Sequence, residues 1–230
     1  MREGRFELSG FALRMIAMLC MLVDHVGVSF FPGVLWLRCV GRLAFPIFAF
    51  LVAEGSVYTH DKKKYLLRLF ALAVVSEIPF DLLACDAAFS FGRQNVVWTL
   101  FISLAGIFLS ERLLSEKKEL AGGLVLAAAV LLCELCRTDY GAIGALTVLM
   151  FKYLEKLPLA AGITAANGLL AFGADYPAQL CAAAALLPIF AYRGRQGPHS
   201  RALRLVFYGF YPVHMIVLAV LSIEQLVFSF

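Results

Sequence analysis

Apolar residues run along this chain in long unbroken blocks, and short polar stretches separate the blocks. About 20 consecutive apolar residues carry an α-helix across the roughly 30 Å of a bilayer core. Nine such blocks fit the sequence, at about 11–31, 35–57, 65–84, 94–110, 121–136, 139–155, 158–173, 177–192 and 203–224. The period-2 alternation of a transmembrane barrel is absent. Blocks five to eight are short, so each either crosses with little tilt or includes a re-entrant piece. The connections are short too, which pairs neighbouring helices antiparallel. The pattern predicts an all-α polytopic transmembrane bundle of about nine spans, one domain over residues 1–230.

Composition strengthens that reading. Hydrophobic residues make up 62% of the chain and charged ones 16%, with a mean hydropathy of +0.85. A soluble core of this size does not need so much apolar material. The start of the chain, a short charged segment before an apolar run, superficially resembles a secretory leader. The run is too long for a leader's apolar region, and no small-residue cleavage site follows it, so it reads as a retained first span. Small-residue stretches such as Ala121-Gly-Gly-Leu-Val-Leu-Ala-Ala-Ala129 favour close helix packing. No internal repeat is visible, which removes support for an inverted-repeat transporter plan. Cys133-Glu-Leu-Cys136 has metal or redox spacing, but no second pair or nearby histidine completes a site, so the six cysteines read as small packing residues and no metal is expected.

The net charge of +4 is too modest to argue for nucleic acid, and no such partner is expected. How the charge is distributed is more informative. Arg2, Arg5, Arg14, Lys62, Lys63, Lys64, Arg68, Arg112, Lys117, Lys118, Lys152, Lys156, Arg193, Arg195, Arg201 and Arg204 fall on one set of loops. Of the 20 Lys and Arg residues, the alternate set keeps only Arg38, Arg42, Arg93 and Arg137. The positive-inside rule then puts the N-terminus in the cytoplasm and, with an odd span count, the C-terminus outside. The protein is expected in the plasma (inner) membrane.

Ionisable residues interrupt the apolar blocks, and each is costly in hydrocarbon unless it is paired or functional. Asp24 and His25 sit side by side in the first block. His25 lies eleven residues after Arg14, close to three turns, so the two share one helix face about 16 Å apart. Asp24 is rotated by about 100° from His25 and faces a neighbour, with Arg42 the natural partner. Either Asp24 and His25 are buried structural hydrogen-bonders, or they form a site. Arg38 and Arg42 project from one face of the second helix; Arg38 either snorkels to the interface or pairs. Pro46 is expected to kink that helix, and Gly41 to permit close approach. Pro79 is expected to break the third helix beside Glu77. Lys62–Lys64 form a basic loop, either an orientation signal against anionic lipid or a dock for a phosphate-rich cofactor with Arg14 and Arg68. Asn95 and Asp139 stand at outer helix ends, where capping accounts for them. In the last block Pro212 frees a carbonyl that His214 can satisfy.

Several of these segments carry a family likeness: Met18-Leu-Cys-Met-Leu-Val-Asp24-His25-Val-Gly27, Gly41-Arg42-Leu-Ala-Phe-Pro-Ile-Phe-Ala-Phe50, Glu54-Gly55, Tyr65-Leu-Leu-Arg68-Leu69, Ile78-Pro79-Phe80, Asp139-Tyr140-Gly141 and Phe207-Tyr208-Gly-Phe-Tyr211-Pro212-Val-His214. In this order, over nearly the whole chain, they resemble the TraX family, named for the conjugative-pilin acetylase. The resemblance implies a multi-spanning acetyltransferase that uses acetyl-CoA. A shorter likeness joins Arg14, Ile16-Ala17 and His25 to the first helix of the membrane O-acyltransferases, where a histidine is associated with catalysis. Neither likeness identifies the acceptor.

The expected function is therefore transfer of an acyl group, acetyl first, from cytoplasmic acyl-CoA to an amine or hydroxyl acceptor. His25 is the expected base, with Asp24, Arg42 and His214 in the catalytic set. Arg14, Lys62, Lys63, Lys64 and Arg68 are expected to bind the CoA phosphates. Glu54, Glu77, Asn95, Asp139 and Tyr211 are the candidates for contact with the acceptor. The competing class is a small-molecule or proton-coupled transporter, which would embed the same residue types. The missing repeat and the family likeness favour the enzyme.

Overall fold

A computed structural model of the chain describes residues 7–85, 87, 89–173, 176–198 and 200–228. Arg2 and Arg5 of the basic set, and Phe230, lie outside these residues. The described residues form helices throughout: α1 (Gly10–Phe30), α2 (Leu35–Gly41), α3 (Ala44–Tyr58), α4 (Lys62–Ala84), α5 (Val96–Ser115), α6 (Glu119–Leu135), α7 (Gly141–Tyr153), α8 (Lys156–Gly173), a 3-10 helix (Pro177–Ala185) continued by α9 (Leu186–Phe190), and α10 (Arg201–Phe228). Taking α2 with α3 and the 3-10 helix with α9, these are the nine helical blocks read from the sequence. Four are long and apolar enough to cross a membrane: Gly10–Phe30, Leu35–Tyr58, Val96–Ser115 and Arg201–Ile223.

Large apolar side chains are abundant on the outside, among them Leu19, Leu67, Val75, Leu131, Leu187 and Leu205. A water-soluble fold would not expose so continuous an apolar surface, whereas lipid covers it at no cost. This is an integral, multi-pass membrane protein. Its centre is filled by Phe45, Ala49, Leu69, Leu100, Leu104, Ile107, Val148, Tyr211 and Met215 from α3, α4, α5, α7 and α10. Close approach depends on small residues: a Cβ on Gly106 would come within 2.7 Å of the Ala129 Cβ across the α5–α6 contact.

The helix ends gather in two opposite layers. In one, the Leu8 and Gly10 amides donate to the Ala191 and Arg195 carbonyls, and Lys62 and Lys152 both bind Glu111 at 2.8 and 2.7 Å. In the other, the Gln94 amide donates to the Arg137 carbonyl and the Asp139 amide to the Gln94 carbonyl.

Two local details depart from the sequence expectation, and a third follows it. The lysine triplet is the first turn of α4, because the Asp61 carboxylate accepts from the Lys64 amide at 2.9 Å and starts the helix three residues early. Pro79 does not break α4, which continues to Ala84; a proline is tolerated inside a membrane helix when neighbours pack around it, and Pro79, Phe80 and Asp81 are all buried. The second block bends as expected from Pro46, at Arg42–Leu43. Pro46 has no amide hydrogen to offer the carbonyl four residues earlier, which is that of Arg42.

Candidate active site

Asp24 is the hub of the first polar cluster. It is buried at 7% exposure and its carboxylate meets two guanidiniums, Arg42 at 2.5 Å and Arg38 at 3.0 Å. The pairing with Arg42 expected from the sequence is present. Arg38 does not snorkel: its Nε donates to the Tyr176 hydroxyl at 2.6 Å and its Nη1 to the Asp24 carbonyl at 3.1 Å. The break after Gly41 turns Arg42 inward, and Gly41 lets α2 lie against α1, since a Cβ there would overlap the Asp24 carboxylate.

With Tyr176, the residues Tyr140, Gln179 and Asn167 complete this cluster, none of them among the expected site residues. Arg42 Nη1 donates to the Tyr140 hydroxyl at 3.1 Å and to Gln179 Oε1 at 3.5 Å. Tyr140 caps α7 in the left-handed region, φ 65°, with its ring stacked on Phe45 at 4.0 Å. Gln179 donates to Asn167 Oδ1 at 2.7 Å, and Asn167 to the Ile163 carbonyl at 2.8 Å. The 3-10 geometry explains why Gln179 faces inward: residues three apart share one face, and Gln179, Ala182 and Ala185 are all buried. One donor, Arg42 Nε, is buried with no hydrogen-bond partner among the described residues.

The second feature is a histidine pair between α1 and α10. His25 Nδ1 and His214 Nε2 are 2.7 Å apart, and His214 Nδ1 is 2.6 Å from the Phe210 carbonyl. A carbonyl only accepts, so the hydrogen between them belongs to His214 Nδ1. A neutral His214 then presents a bare Nε2, which accepts from His25 Nδ1–H. The lone pair of neutral His25 is thereby placed on Nε2. The carbonyl engaged by His214 is that of Phe210 and not, as expected, the one freed by Pro212, which is that of Tyr208 four residues before the proline. Tyr211 is buried beside the pair, its ring 5.9 Å from that of His214.

At the opposite end of α1, Arg14 donates to Gln196 Oε1 at 3.4 Å and stacks over Phe207. Gln196 Nε2 donates to the Tyr192 hydroxyl at 3.0 Å, which in turn donates to Glu54. Arg68 stacks over Tyr65, with a buried Nε that has no hydrogen-bond partner among the described residues. Arg14, Arg68 and Arg204 all act electrostatically on Tyr208, so three cations converge on this end of the α1–α10 contact. Lys62 and Lys64 are held by Glu111 and Asp61, and Lys63 is exposed beside them.

The remaining candidates are bound up locally. Asn95 is fully buried, accepts from the Val97 amide, and donates to the Ala73 carbonyl and to Glu77. Glu77 also accepts from Trp98 Nε1 at 2.7 Å. Asp139 pairs with Arg93 at 2.5 Å. Glu54 lies with Tyr192 in the other loop layer, away from Asp24. A depression of about 280 Å³ opens above the Asp24 cluster, lined by Val28, Pro32, Gly33, Leu35, Arg38 and Tyr176.

Fold and site together define a class: a multi-pass helical membrane protein holding a histidine pair and a two-arginine ion-pair cluster between its helices. The sequence profile described as TraX protein matches residues 9–222. The chain belongs to the TraX family. It is also similar to the protein described as "Probable fimbrial assembly protein FimC, serogroup H1" from Dichelobacter nodosus, 30% identical over 237 residues that cover 92% of this chain and 95% of that one. No solved structure matches it.

Proposed function

We propose that this protein is an acyl-CoA-dependent acyltransferase of the inner membrane, with acetyl-CoA as its first donor and an amine or hydroxyl as acceptor. The observation that carries the proposal is the fixed tautomer of His25. A chain from the Phe210 carbonyl through His214 leaves His25 Nε2 as a lone-pair acceptor, the form a general base needs near neutral pH. It takes the acceptor's proton as the acceptor nitrogen or oxygen bonds to the thioester carbonyl carbon. Collapse of the tetrahedral adduct breaks the carbon–sulfur bond, and the proton leaves with the CoA thiol. A two-step route through acyl-His25 uses the same residues.

Arg42 has two roles in this reading. Its Nη atoms are committed to Asp24, Tyr140 and Gln179, so its orientation is fixed. Its Nε–H is left over and serves the oxyanion, where a preorganised donor is worth most. Arg14 and Arg68, joined by Arg204, take the CoA phosphates by charge-assisted hydrogen bonds. The pantetheine arm then spans the roughly 16 Å along α1 to His25.

We place all nine helical blocks across the membrane with the lysine-rich layer in the cytoplasm, which puts the Arg93–Asp139 layer and the Tyr176 depression outside. Donor and acceptor then reach His25 from opposite sides. The relative's name, a fimbrial assembly protein, favours the amine of a fimbrial or pilin subunit among acceptors. Purified protein given labelled acetyl-CoA and a host lysate tests the reading. Transfer of label to an acceptor is expected, and its loss in His25→Gln. A lysate left unlabelled by folded wild-type protein contradicts it.

A further inference from the structure

Charge does not balance around Asp24. Among the described residues, Arg38 and Arg42 bring two guanidiniums to one carboxylate, and Asp139 is already paired with Arg93 at 2.5 Å. One positive charge is left over, in surroundings where an uncompensated charge is costly. Arg42 is occupied by Asp24, Tyr140 and Gln179, whereas Arg38 lines the depression of about 280 Å³. Arg38 Nε donates to the Tyr176 hydroxyl and its Nη1 to the Asp24 carbonyl. Its Nη2 has no hydrogen-bond partner among the described residues. Tyr176 lines the same depression. Its hydroxyl oxygen accepts from Arg38, and its own hydrogen has no acceptor among the described residues. These two side chains therefore offer only donors to whatever fills the depression.

The depression also lies at a membrane surface. Val28, Pro32, Gly33 and Leu35 line the rest of it. They flank the turn that joins Gly10–Phe30 to Leu35–Tyr58, two segments long and apolar enough to cross a bilayer. Val28 and Leu35 are exposed, as is Trp36 beside them, and tryptophan favours the headgroup level. The anion that a bilayer supplies at that level is the phosphate of its headgroups. We propose that the depression is a phosphate site, filled by a phospholipid headgroup or by a soluble phosphate at the membrane surface. Arg38 Nη2–H and the Tyr176 O–H donate to phosphate oxygens as charge-assisted hydrogen bonds. The phosphate stands as the second anion of the arginine pair, and the apolar lining receives the carbon chain of a lipid. No step of acyl transfer is involved.

The full chain, purified in detergent and stripped of lipid, is titrated in two arms. One receives dioleoylphosphatidylglycerol; the other receives sodium phosphate against sodium chloride of equal ionic strength. Native mass spectrometry counts bound lipid, and melting is followed in both arms. Gly33→Phe fills the depression without touching Arg38, since a Cβ at Gly33 meets nothing within 4 Å. Tyr176→Phe keeps the ring and loses only the hydroxyl. The wild type is expected to melt several degrees higher with a phosphate-bearing probe, and Gly33→Phe to lose that gain together with one bound phosphate. Tyr176→Phe should weaken binding about tenfold, the loss of one hydrogen bond to a charged group. A difference between wild type and variants with phosphatidylglycerol alone assigns the phosphate to a lipid headgroup, and one with sodium phosphate assigns it to a soluble ligand; either upholds the site. Identical behaviour of wild type and both variants with both probes overturns it. Neither arm measures acyl transfer, so that result leaves the acyl-transfer reading untouched.

Discussion

His25 and His214 lie 189 residues apart in the chain, yet their Nδ1 and Nε2 atoms lie 2.7 Å from one another with rings inclined by only 6°. The second nitrogen of His214 is held by a main-chain carbonyl. Main-chain geometry thus dictates which nitrogen of His25 is free. His214 is in this sense a positioning residue, and its replacements should be graded by whether they can still accept. His214→Gln offers an amide oxygen to His25 Nδ1–H and should keep much of the wild-type kcat. His214→Leu offers nothing, and should lower kcat at least tenfold with little change in KM for acetyl-CoA. Equal rates for the two folded variants would show that the pair does not set the tautomer.

The Asp24 cluster should behave as a unit. Removing one partner of a buried ion pair costs about 3–5 kcal/mol, because the other charge is left uncompensated. Asp24→Asn and Arg42→Gln should each lower stability in detergent. The double variant should be less harmful than the two effects added, by about 0.5–3 kcal/mol. Strict additivity would mean that the contact contributes no coupling.

Gly41 is predicted to be irreplaceable for a steric reason. Alanine there overlaps the Asp24 side chain, and overpacking of this kind costs about 1–3 kcal/mol. Gly33→Ala, with nothing within 4 Å of its new Cβ, is the matched control and should melt like the wild type. A Gly41→Ala protein as stable as Gly33→Ala would show that α1 and α2 do not pack this closely.

Sequence and structure agree best where the signal is local. The nine blocks are visible because continuous apolar runs and capping residues are properties of neighbouring positions. Asp24–Arg42 was legible too, since a buried carboxylate needs a cation and few were available at that depth. What the sequence hid is what the fold brings together over long separations. Nothing local marks Tyr140, Tyr176 or Gln179 as partners of two arginines, because interfacial tyrosines and an isolated glutamine are common in any membrane bundle. Nor does spacing reveal that the 3-10 helix turns Gln179 toward Arg42. The lysine triplet lies in the first turn of α4 and not in a loop because the Asp61 cap starts the helix there, a signal that the run of like charge masks.

The cations at the start of α1 and along α4 should divide by their existing partners. Lys62 and Lys64 already have carboxylates, and exposed pairs of this kind are worth about 0–1 kcal/mol, so their loss to glutamine should change KM for acetyl-CoA little. Arg68, whose Nε has no hydrogen-bond partner among the described residues, should matter more. Arg68→Gln is expected to raise KM by about tenfold while leaving kcat less affected, the mark of lost uniform binding. A larger KM effect from the lysines than from Arg68 would move the phosphate site outward to the start of α4.

Sidedness has its own test. A reporter fused after Phe230 should read as external and one inserted near Lys63 as cytoplasmic, as an odd number of crossings requires. Both reporters on the same side would contradict nine crossings.

The central claim is that His25 is the base, and the turnover number of His25→Gln tests it most directly. Glutamine can still hydrogen-bond but cannot cycle a proton near neutral pH. With melting unchanged from wild type, kcat for acetyl transfer should fall by about 10²–10⁴-fold, the usual worth of general acid–base catalysis. A folded His25→Gln protein that turns over at the wild-type rate would contradict the account.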